Sequence, residues 1–267
     1  MRGAMERRSF RHAGLNFSYI DRGGQGEIVL ALHGHWMEAA TFTGLADALF
    51  PAWRLIALDQ RGHGHSDHAA SYTREDYLGD IESWLDHLNL TEPTIFLGHS
   101  LGGINAIQFT ARHPNRVKAL IIEDIGAVVD TSADFILNWA GFFPTREALA
   151  DRIGARLVPY LEPEFRQTEQ GWTLAFSPDE IANSQRHLKG DYWEDWLVTT
   201  CPALLIRGAE SRLTEPQVLE EMALRRPNTR LVTLQGGHVI HVDDASGFER
   251  AVRDFLTLVS DAGDQRG

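Results

Sequence analysis

The sequence predicts a doubly wound α/β protein, a mostly parallel sheet with helices on both faces. Three observations carry that expectation. Short apolar runs recur along the 267-residue chain, longer amphipathic runs separate them, and the apolar runs are continuous rather than alternating. Continuous runs mark strands covered on both faces, and alternation of strand with helix marks a parallel sheet.

In chain order, "FRHAGLNFSYI" over 10–20 reads as a hairpin turning at Ala13-Gly14, between two partly alternating runs. Strands are predicted over 27–32, 54–58, 94–97, 117–122, 203–206 and 230–234. Helices are predicted over 75–88, 101–112, 215–225 and 246–258; in the first, Tyr77, Ile81, Trp84, Leu85 and Leu88 recur at helical spacing. The polar tail from Ser260 is expected to fray. One stretch breaks the rhythm. Residues 126–199 contain no strand-like run yet hold four of the seven tryptophans, Trp139, Trp172, Trp193 and Trp196, with Phe142, Phe143, Phe176 and Tyr192 beside them. This reads as a helical insertion over the sheet. Its aromatics are expected mainly in a small core of its own, with a minority lining an apolar pocket. The predicted division is a core of residues 1–125 and 200–267, interrupted by a helical cap over 126–199.

Composition narrows the function classes. With 43% hydrophobic and 23% charged residues, the chain is ordinary for a globular protein. A net charge of −12 argues against nucleic acid and anionic membrane surfaces as partners. The single cysteine, Cys201, precludes an intrachain disulfide and reads as a buried structural thiol. The basic start, Met-Arg-Gly-Ala-Met-Glu-Arg-Arg, leads into no apolar h-region, and no apolar stretch approaches the roughly 20 residues that span a bilayer. A cytoplasmic location is expected.

The chemistry gathers at the predicted strand ends. Gly98-His99-Ser100-Leu101-Gly102 fits G-x-S-x-G between a strand and a helix, the nucleophile-elbow context. Glycines flank the serine because the turn is sharp and neighbouring backbones come close. A serine hydroxyl needs a base. His238 follows the last strand directly after Gly236-Gly237, where a loop can carry an imidazole over the sheet edge; His241 is the competitor, placed to begin the next element. An acyl-transfer oxyanion needs backbone donors. The amide of Leu101, at a helix N-terminus, is one candidate; the other is the amide of His35 in the loop "HGHW" after the strand at 27–32. The side chain of His33 reads as structural.

With these residues in place, the sequence resembles the α/β-hydrolase family over nearly its whole length. The resemblance rests on "LHGHW" at 32–36, "DQRGHGHSD" at 59–67, "GHSLGG" at 98–103 and "GGHVIHVDD" at 236–244. The second is similar to the family's D-x-R-G-x-G-x-S loop, a structural signature. The resemblance implies an eight-stranded mostly parallel sheet, a cap after the sixth strand, and serine–histidine–acid chemistry without a cofactor.

The acid is open between two positions. Much of the family has an aspartate after the strand that follows the cap, where this chain reads Arg207-Gly208-Ala209-Glu210-Ser211, with no aspartate. Some relatives use the strand before the cap, where this chain ends Glu123-Asp124. Asp124 stands one strand–helix–strand step from Ser100 and is preferred over Glu210, with Glu123 expected on the opposite side of its strand.

Two rivals use other chemistry. His63, His65, Asp67 and His68 spell H-x-H-x-D-H, an arrangement that suits zinc and metal-activated water. Its glycines and serine are already explained by the loop signature, and no further ligand set stands out. A ligand receptor that has kept the pocket but hydrolyses slowly is the second rival. The expected function is a serine hydrolase of a carboxylic ester or related small acyl compound, acting through Ser100, His238 and Asp124. Carbon–carbon bond hydrolysis and perhydrolase activity, which use the same three groups, stay open.

Overall fold

The computed structural model describes residues 5–264; the first four residues of the basic start and the last three of the tail lie outside the described residues. Eight strands form one sheet: β1 (Glu6–His12), β2 (Leu15–Asp21), β3 (Glu27–Leu32), β4 (Trp53–Leu58), β5 (Thr94–His99), β6 (Val117–Glu123), β7 (Ala203–Gly208) and β8 (Thr229–Leu234). Their order is β1-β2-β4-β3-β5-β6-β7-β8. The pairings β1–β2 and β2–β4 are antiparallel, and every other is parallel. The Ala13-Gly14 turn closes the first hairpin, with both residues at positive φ.

The continuous apolar strands bury both faces. Val29, Ala31, Leu55, Ala57, Ile95, Leu97, Ala119 and Ile121 face one side, where α1 (Thr43–Leu49) and a long C-terminal helix cover them. Leu30, Leu32, Ile56, Leu58, Phe96, Leu120 and Ile122 face the other. There α2 (Arg74–His87) and α3 (Leu101–Arg112) lie over them. Thr73 caps α2 in a reciprocal box with Asp76, which fixes its first turn.

Residues between β6 and β7 carry the remaining surprises. They contain α4 (Arg146–Ile153) and α5 (Pro178–Leu188). Ile136, Trp139, Leu149, Ile153, Leu161, Phe176 and Ile181 form a separate apolar cluster there. The expectation of a wholly helical insertion is corrected by an antiparallel hairpin, Phe165–Thr168 against Gly171–Leu174. Its strands are four residues long and partly polar, and the chain reverses through Glu169-Gln170 into Gly171 at φ +128°, so neither length nor alternation marks them in sequence. Trp196 and Tyr192, expected in a local core, pack instead into the main cluster.

After β7 come α6 (Pro216–Arg225) and α7 (Ala245–Asp264). Expected to fray, the tail instead continues α7 from Ser260 to Asp264; residues 265–267 lie outside the described residues. Cys201 is bound at its carbonyl by Arg226 at 2.8 Å, and burial pushes its thiol pKa up. Among the described residues, no helix is long and apolar enough to cross a membrane.

Candidate active site

Ser100 stands one residue beyond β5 and caps α3. Its backbone is at φ +50°, ψ −113°, left-handed for a non-glycine residue and worth about 1–3 kcal/mol of strain. The elbow's packing holds it there. A Cβ on Gly102 would lie 2.1 Å from the Leu32 carbonyl oxygen, and one on Gly98 would lie 2.3 Å from that of Gly102. Helix α3 can therefore sit hard against β3 and β5, and the turn turns the hydroxyl outward.

His238 lies past β8 in the Gly236-Gly237 loop. Its Nδ1–H donates to Asp124 Oδ2 at 2.8 Å, which leaves Nε2 as the free ring nitrogen. Asp124 is one residue beyond β6, at φ +48°, and its side chain is fully buried. The carboxylate is well supplied with donors: the Gly208 amide at 3.1 Å and the Ser211 hydroxyl at 2.5 Å, while Thr214 bonds its carbonyl at 2.9 Å. With His238 Nδ1–H, three donors thus meet the buried carboxylate. Glu210 is exposed, and its amide bonds the Gly236 carbonyl. The neighbouring Ser211 serves Asp124, so the loop after β7 contributes a donor where an acid was the alternative.

The loop after β3 passes the serine at Gly34, where a Cβ would lie 3.2 Å from Ser100 Cβ, and His35 lines the same cavity as Ser100. Neither the His35 nor the Leu101 amide has a protein acceptor among the described residues, and Leu101 opens α3, where an N–H has no intrahelical partner. The His35 ring bonds Ser184 of α5 at 2.8 Å. His33 is structural: its Nδ1–H donates to the Gly34 carbonyl at 2.7 Å and its Nε2 accepts from the Gln60 amide at 3.0 Å.

Ser100 and His238 line a cavity of about 390 Å³ that runs along Ile125, Val128 and Thr131. A second, of about 550 Å³, runs along Ile153, Leu157 and Leu161. The two share His35, Trp36, Phe135, Leu213 and His238. The aromatics common to both are thus Trp36 and Phe135, with Tyr160 lining the second cavity, and sequence reasoning did not single them out; Trp139 stacks edge-on against Trp36 and Phe135.

The H-x-H-x-D-H residues do not converge. His63 is buried with Nδ1–H on the Arg61 carbonyl, Asp67 accepts from Asn16, and His68 donates to Glu180 at 2.6 Å. The turn itself separates them, because Asp59 at its root accepts from the Ala39 and His65 amides. Among the described residues, the one set with ligand atoms in mutual reach is His99, Glu123 and His241.

Three buried imidazoles around the site, and the partly buried His35, are neutral. Burial lowers His33 to about 4, His63 and His99 to about 3, and His35 well below 6.5. Burial raises Asp80 to about 6 and Glu164 to about 8, the latter helped by the nearby Glu38 charge. Between pH 6.5 and 4.5 the unfolded chain therefore takes up protons at four histidines that the folded chain refuses. The two acids offset part of this, so stability falls on acidification, by roughly 1–3 kcal/mol per pH unit for one to two net protons. Above pH 6.5 the sign reverses: Glu164 loses its proton in the fold, and so does His68, which Glu180 holds above its ordinary value. Denaturant unfolding from pH 4.5 to 8.5 is expected to show maximal stability near pH 6–7, steeper on the acid side; a monotonic rise to pH 8.5 contradicts these assignments.

Comparison with known proteins identifies the surroundings of this site. Residues 27–183 match the family model described as the alpha/beta hydrolase fold. A 2-(acetamidomethylene)succinate hydrolase of Mesorhizobium japonicum is 27% identical over 254 residues, covering 87% of this chain and 89% of its own. A pimeloyl-[acyl-carrier protein] methyl ester esterase of Neisseria meningitidis is 27% identical over 257 residues, covering 87% and 78%. The crystal structure of E-2-(acetamidomethylene)succinate hydrolase shares the fold with a TM-score of 0.83 at 24% identity, over 95% of this chain and 100% of that one. The chain belongs to the α/β-hydrolase family, and these relatives are hydrolases.

Proposed function

We propose that the protein is a serine hydrolase that cleaves a carboxylic ester, or a closely related small acyl compound, through an acyl-enzyme. One observation carries this reading: a left-handed Ser100 shares a cavity with a histidine whose Nδ1–H is held by a buried aspartate, leaving Nε2 free to act as base.

The chemistry follows from the placement. His238 Nε2 takes the Ser100 proton as the oxygen attacks the carbonyl carbon. The carbonyl electron pair moves onto its oxygen, where the amides of His35 and Leu101 receive it. Collapse breaks the bond to the leaving alcohol, which takes the proton from Nε2. Water, deprotonated by the same nitrogen, attacks the acyl carbon, and Ser100 recovers its proton as the acid departs. Asp124 keeps the imidazole in the required tautomer and offsets the charge of the imidazolium. No cofactor enters these steps. Two cavities meeting at the serine suit a carbonyl with a substituent on each side, and the apolar lining by Trp36, Phe135, Ile153 and Leu161 favours carbon-rich groups. The Neisseria relative's activity on a methyl ester is in line with this reading.

The test is covalent labelling by a fluorophosphonate, read by peptide mapping, together with a panel of esters varied in acyl and alcohol groups. Labelling at Ser100 and turnover of at least one ester are expected. Folded protein that neither labels nor turns over would favour the receptor reading.

A further inference from the structure

Two catalytic candidates stand at equivalent places, and each is preceded by a buried polar residue that the mechanism does not use. Ser100 and Asp124 each lie one residue beyond a parallel strand, at φ +50° and +48°. Before them come His99 and Glu123, register partners across β5 and β6, exposed by 2% and 0%. Both side chains reach the loop that bears the base. His99 Nε2 lies 2.9 Å from the carbonyl oxygen of His238 itself. The Glu123 carboxylate accepts from the His241 amide at 3.0 Å and from its Nδ1–H at 2.8 Å. His241 in turn bonds Thr41 through Nε2 at 2.7 Å, tying the loop to the turn Ala39–Phe42 that precedes α1.

We infer that His99 and Glu123 are positioning residues that clamp the His238 loop to the strand ends carrying Ser100 and Asp124. The clamp rests on the serine-hydrolase reading and extends it. A carbonyl can only accept, so His99 carries its proton on Nε2. Its Nδ1 is then a bare acceptor, buried without a partner among the described residues, close to Gly34, where a Cβ would lie 2.5 Å from it. That unmet nitrogen carries a desolvation cost that an apolar side chain of similar size would avoid. What the imidazole supplies in return is the bond to His238. With burial lowering His99 to about 3, the donor tautomer persists across the working pH range.

The loop would otherwise have freedom where the chemistry tolerates little. It begins at Gly236-Gly237, and Asp243 already accepts from the Gly237 amide at 2.6 Å. The two further ties bracket His238: one at its own carbonyl, one three residues on. The ring that must reach both Asp124 and Ser100 is thereby fixed from strands β5 and β6, the same strands that carry those two groups. The proximity of His99, Glu123 and His241 also resembles a metal cradle. Both Glu123 oxygens, however, already accept from His241, whose Nε2 is bonded to Thr41, and His99 Nε2–H donates to the His238 carbonyl.

The experiment compares His99→Leu, His99→Gln and Glu123→Gln with wild type and Ser100→Ala, after circular dichroism and melting have shown which are folded. His99→Leu is expected to lower kcat roughly 10- to 100-fold with KM little changed, the scale at which a misplaced group loses rate. His99→Gln, whose carboxamide N–H can replace Nε2–H, is expected to recover most of that loss. Glu123→Gln, which keeps shape but not charge, is expected to lower kcat in the same way and to broaden the downfield imidazole N–H resonance of His238. Folded His99→Leu with wild-type kcat, or His99→Gln as impaired as His99→Leu, overturns the clamp. If His99→Leu does not fold, folded Glu123→Gln with wild-type kcat and an unchanged resonance overturns it. So does one equivalent of metal in purified protein that Glu123→Gln loses. Near-normal turnover in Ser100→Ala refutes the underlying reading instead, and the two failures are thus told apart.

Discussion

Ser100→Ala is expected to reduce ester turnover by roughly 10³-fold or more, with KM changing far less, because the members of such a unit act together and its loss is not graded. The substitution removes one oxygen and adds nothing, and alanine relaxes none of the close contacts that shape the elbow. The variant should therefore fold as the wild type does. Its left-handed backbone costs alanine no less than serine, so melting should stay close to that of the parent. Binding is expected to persist, since the two cavities are lined by other side chains, Trp36, Phe135 and Leu161 among them. Some residual rate over water should also remain, because the substitution leaves the proposed oxyanion donors, the amides of His35 and Leu101, in place. Initial rates on the best ester of a panel, with fluorophosphonate labelling in parallel, decide the matter. Near-normal turnover by Ser100→Ala would remove Ser100 as nucleophile.

What the sequence discloses and what it withholds divides along a physical line. The parallel strands are legible because burial on both faces demands continuous apolar runs, as in "IVLAL" at 28–32 and "ALIIE" at 119–123. The elbow is legible because close packing of α3 on β3 and β5 admits only glycine at 98 and 102. Features that depend on tertiary reach are not. Phe135 lines the cavity and Trp139 stands behind it, though both lie on one short 3-10 turn, and composition ranks the tryptophan first. The hairpin at 165–174 leaves no periodic trace in strands so short. His99 and Glu123 read as ordinary strand ends; only the folded loop shows that the first meets His238 and the second His241. Glu123 does not sit idle on the far side of its strand, since the chain returns through His241 to meet it.

The choice between acids is the sharpest case of that limit, and it yields the second large effect. Asp124→Asn is expected to lower kcat by roughly 10³- to 10⁴-fold, whereas Glu210→Gln should stay close to wild type. Asparagine preserves the shape and can still accept from the Gly208 amide, so the fold should hold. Its other arm, however, presents an N–H₂ group where Oδ2 now accepts from both Ser211 and His238 Nδ1. Two donors cannot face each other, so the imidazole must turn or shift its proton to Nε2. Either change removes the lone pair that Ser100 needs. The charge that would offset the imidazolium is lost as well, at the position where burial makes it most effective. Glu210 has no such role to lose: it is exposed, and what ties it to the site is a backbone bond to Gly236 that glutamine keeps. Steady-state rates of the two variants on one ester rank the acids directly. A larger loss in Glu210→Gln would move the acid to the strand after the insertion and make Ser211 a bystander, while comparable small losses would mean that no single carboxylate orients His238.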